Sequence, residues 1–186
     1  LPPEGVDCLV FLSPSGGDAT EIREFNLEDK SFIDEGYSVP LAKTQISWID
    51  KDTVFIGTDF GISTMTDSGY PRIIKQWIRG TPLSEAKILF TADKNSMAAR
   101  AASIKNNNTT IDIISESTSL WSSDKYQLLD GEIKNLTLPK SASISGVYQN
   151  KLVVSLKKEW DFNKKHYVQG EVLLIDIALL RGEKGT

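Results

Sequence analysis

Ile46-Ser47-Trp48-Ile49-Asp50-Lys51-Asp52-Thr53-Val54-Phe55-Ile56 can be laid over Ile144-Ser145-Gly146-Val147-Tyr148-Gln149-Asn150-Lys151-Leu152-Val153-Val154. In both stretches, β-branched and aromatic residues run up to a short polar tip and away from it, which is the pattern of a β-hairpin. The two copies lie 98 residues apart, and residues 102–114 supply a looser third copy with a longer turn at Asn106-Asn107-Asn108. Three copies over that span give a period near 49 residues. A four-stranded propeller blade takes about 40–50 residues.

Each copy then reads as the inner two strands of a blade, and the hairpin after it as the outer two. Residues 72–79 with 86–90 are one such outer pair, and residues 125–129 with 132–136 another. In the second pair, Asp130-Gly131 supplies the positive φ angles of a tight type I′ turn. The expectation is an all-β fold: a partial β-propeller of about three four-stranded antiparallel blades. It is one domain over residues 1–186, with the outer half of one blade in 1–40, blades in 41–92 and 93–140, and an incomplete blade in 141–186. Thirteen strand-like runs are too few for the four or so blades that closure needs, so an open arc is expected instead of a closed ring. Its edges would offer unpaired N–H and C=O groups to another chain, so a homo-oligomer through blade edges is expected. The competing architecture is a β-sandwich with accidental self-similarity. Only residues 18–24 and 83–87 have passable helix propensity.

Composition narrows the function classes. The chain has 186 residues, 40% hydrophobic and 25% charged, with a net charge of −4. That balance argues against a nucleic-acid groove or a polybasic membrane patch, both of which need clustered positive charge. One cysteine, Cys8, excludes an internal disulfide, and with one histidine, His166, it cannot form a Cys/His zinc site. The longest apolar run, 172–180, is interrupted by Asp176 and is far short of a membrane helix. The N-terminus has no initiator Met and no basic and apolar leader, so a piece of a longer protein is expected, cytoplasmic or periplasmic.

No residue of the sequence is expected to be catalytic, cofactor-binding or metal-binding. No Gly-x-Ser-x-Gly elbow occurs, and Gly61-Ile62-Ser63 lacks the second glycine. His166 is expected as an exposed loop imidazole whose neighbours Lys164 and Lys165 disfavour its protonation. The carboxylate pairs Asp50/Asp52, Asp59/Asp67 and Glu159/Asp161 could do glycosidase work at suitable separations, but turn chemistry explains the first more simply. Asn107, Asn108 and Asn135 fit the N-x-Ser/Thr pattern, which matters only in a glycosylating compartment. Trp48 and Trp77 are expected to pack between blades, and Trp160 to be an exposed contact.

Ser47-Trp48-Ile49-Asp50, Gly57-Thr58-Asp59-Phe60-Gly61, Thr66-Asp67-Ser68-Gly69-Tyr70-Pro71-Arg72 and Lys75-Gln76-Trp77-Ile78-Arg79-Gly80-Thr81-Pro82 together carry a resemblance. The chain resembles the N-terminal propeller of the prolyl oligopeptidase family of serine peptidases. The resemblance implies a seven-bladed parent propeller that caps an α/β-hydrolase domain and admits only oligopeptides to a site cleaving after proline. Nothing in this chain matches that hydrolase domain. The resemblance therefore implies a non-catalytic propeller portion whose partners are the parent's peptidase domain and its oligopeptide substrate. Asp59, Asp67, Tyr70 and Arg72 mark a loop expected either to dock that domain or to be a self-contained turn. The alternatives are a free-standing interaction scaffold using exposed blade edges and a carbohydrate-active propeller enzyme.

Overall fold

A computed structural model describes residues 5–106 and 109–183, which fall into two compact units divided between Ala102 and Ser103. The chain is almost entirely β, because short runs of Val, Ile, Phe, Tyr and Trp alternate with turn-forming residues along its length. In the first sheet, β1 (Asp7–Leu12) pairs along one edge of β2 (Thr20–Asn26). Along the other edge, β2 pairs with β3 (Ser31–Phe32) and then β4 (Ser38–Ala42). The second sheet steps through β5 (Gln45–Asp50), β6 (Thr53–Gly57), β7 (Ile73–Ile78) and β8 (Lys87–Thr91) in chain order.

The third sheet steps in the same way through β9 (Ala98–Asn106), β10 (Thr109–Ser119), β11 (Ser122–Leu129) and β12 (Glu132–Leu136). The fourth joins β13 (Ser143–Tyr148), β14 (Lys151–Ser155) and, after a two-stranded ribbon of β15 (Trp160–Phe162) and β16 (Lys165–Tyr167), β17 (Val172–Asp176). A short helix, α1 (Ile177–Leu180), follows, its start capped by the Asp176 carboxylate accepting from the Ala178 N–H. Three four-stranded antiparallel sheets followed by a three-stranded one, with no closed barrel among the described residues, define a partial β-propeller.

The hairpins β5–β6 and β13–β14 are the two closely matched copies of the repeat, and both carry a register shift in their first strand. Asn107 and Asn108 of the third copy lie outside the described residues. Asp130 and Gly131 take φ of 51° and 80°, the left-handed pair of the expected type I′ turn. The two segments with passable helix propensity do not become α-helices. Residues 20–24 belong to β2, whose cross-strand pairing outweighs local preference, and Leu83–Glu85 form a single 3-10 turn between β7 and β8.

Each unit has its own apolar interior. In the first, Ile22 and Val39 of the first sheet, with Tyr37 just before β4, pack against Val54, Ile56 and Trp77 of the second. Every residue of β6 is buried, so both of its faces are covered. In the second unit, Ile111, Ile113 and Leu136 pack with Leu152, Val154, Ile175 and Leu180. Burying one such aliphatic side chain contributes about 1.5–3 kcal/mol, which makes these interiors the main source of each unit's stability.

Candidate functional site

The connection between β6 and β7 holds Asp59, Asp67, Tyr70 and Arg72, and local hydrogen bonds build it from within. The Asp59 Oδ1 accepts from the Gly61 N–H at 2.9 Å, and the Thr64 hydroxyl donates to the Gly61 carbonyl at 2.7 Å while accepting from the Phe60 N–H at 3.0 Å. Gly61 takes φ of 109° and Ser63 φ of 64°, which bends the chain sharply at the loop's tip. The Arg72 Nε donates to the Ala92 carbonyl at 3.0 Å and its Nη1 to the Ser63 carbonyl at 3.3 Å. The loop is also pinned to the β8–β9 connection: the Asp67 N–H donates to the Lys94 carbonyl at 2.9 Å, and the Thr66 hydroxyl to the Met97 carbonyl at 3.0 Å.

Tyr70 reaches elsewhere. Its hydroxyl donates to the Asp18 carboxylate at 2.5 Å, the Lys43 ammonium lies 4.1 Å from its ring centre, and that bond to Asp18 raises its pKa. The four marked residues thus engage different partners. What the loop presents outward is Ile62, 99% exposed at the tip. Beside the loop lies a cleft of about 530 Å³ lined by Leu41, Lys43, Asp59, Met65 and Leu83. Ile62 escapes a reading by residue type, because an isolated isoleucine in a Gly/Ser/Thr loop carries no chemical signature.

A second cluster in the same unit was not singled out from the sequence. Glu24 lies on the buried face of β2 with Ile22, its carboxylate held by the Arg79 guanidinium through bonds of 2.6 and 2.7 Å and by the Tyr37 N–H at 2.9 Å. The Tyr37 hydroxyl donates to the Asp52 carbonyl at 2.8 Å, and burial drives its pKa well above the ordinary tyrosine range. Trp48 and Trp77 meet the Tyr37 ring edge-on at 5.5 and 4.8 Å, so both pack in the interior as expected. This network joins the first and second sheets through one buried ion pair.

Of the remaining candidates, Asp50 stands apart, while His166, Asp161 and Glu159 come together. Asp50 ends β5, and its carboxylate accepts from the Asp52 N–H of the following turn at 2.8 Å. His166 lies on β16, and the expected influence of its lysine neighbours is overturned. Its Nδ1 is 2.8 Å from the Asp161 carboxylate and its Nε2 3.9 Å from Glu159, so its pKa is raised, first by the bond to Asp161. Trp160 also departs from expectation: it stacks on Phe162 at 4.5 Å and packs against the interior of the second unit. Trp121 is the tryptophan that stands in solvent, 83% exposed. Among the described residues, no group of three or more His, Cys, Asp or Glu side chains is placed to hold a metal ion, and no helix is long and apolar enough to cross a membrane.

These features define a class: a portion of a propeller made of successive antiparallel sheets, most of them four-stranded. No protein-family model matches the chain. It is 26% identical over 184 residues, 95% of its length, to an uncharacterized peptidase of Sinorhizobium fredii, and 24% identical over 192 residues, 94% of its length, to one of Rickettsia prowazekii. Its fold matches that of a post-proline cleaving enzyme from Rickettsia typhi with a TM-score of 0.85, at 22% identity, over 97% of this chain and 29% of that one. The chain spans about a quarter of the length of the curated relatives it matches (25% and 26%). In sequence and in fold, then, it is similar to the propeller part of peptidases of the prolyl oligopeptidase type.

Proposed function

We propose that this chain is a non-catalytic propeller portion of a prolyl oligopeptidase-like serine peptidase, restricting oligopeptide access to a hydrolase domain in the longer protein. The observation that carries the reading is a match to a peptidase over 95% of this chain that takes in only 25% of that peptidase. Steric gating needs no reactive side chain, only walls stiff enough to refuse a folded protein. Antiparallel sheets with buried interiors supply that stiffness. Within this reading the β6–β7 loop rests on the hydrolase domain: Asp59, Asp67, Tyr70 and Arg72 keep it in shape, and Ile62 makes the contact.

The test compares the longer protein with the 186-residue chain on a proline-containing octapeptide and on a folded protein with exposed prolines. The longer protein is expected to cleave the peptide after proline and spare the folded protein, and the chain alone to cleave neither. Proline-specific turnover by the chain alone overturns the reading. A second reading, an interaction scaffold that pairs through blade edges, draws on β17, which ends its sheet with Val172 and Leu174 exposed. A concentration-dependent dimer that is lost on Leu174→Lys substitution would favour it.

A further inference from the structure

The turn between β10 and β11 breaks the rule of polar tips that the other described two-residue hairpins obey. Asp130-Gly131, Gln149-Asn150 and Asn163-Lys164 are polar tips with at least one residue at positive φ, and Lys51-Asp52, beside a register shift in β5, is polar with none. Leu120-Trp121 shares the negative φ of Lys51-Asp52, but both of its residues are apolar. The turn draws its shape from a register shift between Ser117 and Ser119, and from the Ser119 hydroxyl oxygen accepting from the Trp121 N–H at 3.2 Å. Turn geometry therefore has no need of a leucine or a tryptophan here. Yet Leu120 is 73% and Trp121 83% exposed, an adjacent apolar pair held out in water at a tip where polar residues are the rule.

Beside the pair lies an open groove of about 620 Å³, its other walls made by the β12–β13 and β14–β15 connections. Its lining has three lysines, Lys140, Lys157 and Lys158, several serines and no carboxylate, in a chain whose net charge is −4. Asp124 engages the Lys140 ammonium at 2.8 Å, so the exposed pair Lys157 and Lys158 sets the charge of the far wall. The floor is rigid: the buried Lys125 ammonium donates to the Ser123 carbonyl and hydroxyl, both at 3.0 Å, and to the Lys140 carbonyl at 3.2 Å. The Ser123 N–H also donates to the Lys140 carbonyl, at 2.9 Å. The two walls are thereby locked together before anything binds, which lowers the ordering cost of binding.

We propose that the groove beside the Leu120–Trp121 tip is a docking site for an acidic peptide segment that carries an aliphatic or aromatic side chain. The apolar side chain of the segment packs on Trp121 and Leu120, its carboxylates face Lys157 and Lys158, and the serine hydroxyls bond its backbone. An aromatic anchor beside a charged rim is the arrangement that concentrates binding energy at one residue while charge selects the partner. This site lies outside the β6–β7 loop and does not depend on the peptidase reading.

The test uses the 186-residue chain and a blocked decapeptide of glutamates around a central Leu-Phe pair, with the lysine counterpart as control, followed by calorimetry and tryptophan fluorescence. The glutamate peptide is expected to bind at least tenfold more tightly than the lysine peptide, more weakly as salt is raised, and to perturb the fluorescence. Trp121→Ala is expected to weaken binding at least tenfold with the circular-dichroism spectrum unchanged, and Lys157→Glu with Lys158→Glu to reverse the preference between the peptides. Absence of binding, equal binding of the two peptides, or full affinity in Trp121→Ala overturns the proposal.

Discussion

Glu24 and Arg79, 55 residues apart in the chain, meet through two nearly parallel hydrogen bonds with the carboxylate fully buried and the guanidinium about a quarter exposed. The asymmetry predicts which half of the pair matters more. Arg79→Met strands a buried carboxylate whose remaining partner is the Tyr37 N–H, and is expected to cost about 3 kcal/mol, in the range for breaking a buried pair. Glu24→Gln leaves a neutral side chain inside and an arginine that can turn to water, and is expected to cost about 1–2 kcal/mol. Urea unfolding of the two single variants and the double variant checks the order. The double variant is expected to cost less than the sum of the singles, because the two positions share one interaction.

Gly36 lies against this pair for want of space, with an ordinary backbone conformation. A Cβ there would come 2.8 Å from the Glu24 Oε2, 2.9 Å from the Glu24 Cβ and 3.0 Å from the Ile33 Cβ. Gly36→Ala is expected to push the carboxylate off Arg79 and to cost about 1–3 kcal/mol, as overpacking does. Combined with Arg79→Met it should cost less than it does alone, since the bond it disturbs is already gone, but not nothing, because the contacts with the Glu24 and Ile33 Cβ atoms remain. Full additivity in thermal or urea unfolding would place the strain elsewhere.

Lys125 gives the fold a pH dependence of definite sign. Its ammonium is buried without a carboxylate bonded to it, and that burial lowers its pKa below the ordinary 10.5. Between the lowered value and 10.5, the folded chain has released this proton and the unfolded chain still holds it. In that window the stability due to Lys125 rises with pH, and below it the cost of the buried charge is paid in full. Denaturation of the native chain and of Lys125→Met from pH 7 to pH 10 is expected to show the native chain gaining stability relative to the variant as pH rises. Parallel curves would show that Lys125 titrates normally.

Much of the sheet order can be read from residue type, because β6 and β14 are runs of Val, Ile, Leu and Phe bounded by turn formers, and Asp130-Gly131 specifies its own hairpin. The strands that escape the pattern do so for physical reasons. β3 has two residues and β4 carries Pro40 at its middle, so neither resembles an isolated strand. β15 and β16 have three residues each and gain their packing from Trp160, which meets Phe162 of its own strand and Tyr167 of β16. Glu24 had a usable signal, since period-two alternation places it on the face of Ile22, and an acid on a core face demands a cation. Which cation could not be read locally, because Arg79 is brought to it by sheet packing and not by spacing. Leu120 and Trp121 stand out only once their turn is known to have no conformational need of them.

The docking role of the β6–β7 loop separates from its internal structure by the exposure of two residues. Asp67 pairs with Lys94 at 3.2 Å, with both side chains more than half exposed; such pairs contribute about 0–1 kcal/mol. Ile62 is wholly exposed at the tip. Ile62→Asp and Asp67→Ala are therefore each expected to leave the unfolding of the 186-residue chain within about 0.5 kcal/mol of the native value. In the longer protein, Ile62→Asp is expected to lower the melting temperature of the interdomain transition and to raise cleavage of oversized substrates relative to an octapeptide, because a loosened contact opens the gate. Arg72→Ala should destabilise both proteins, since it removes donors to the Ala92 and Ser63 carbonyls that shape the loop. If Ile62→Asp and Asp67→Ala leave the longer protein's size selectivity and interdomain stability unchanged, the loop is a self-contained turn, and the contact with the hydrolase domain must lie on other residues.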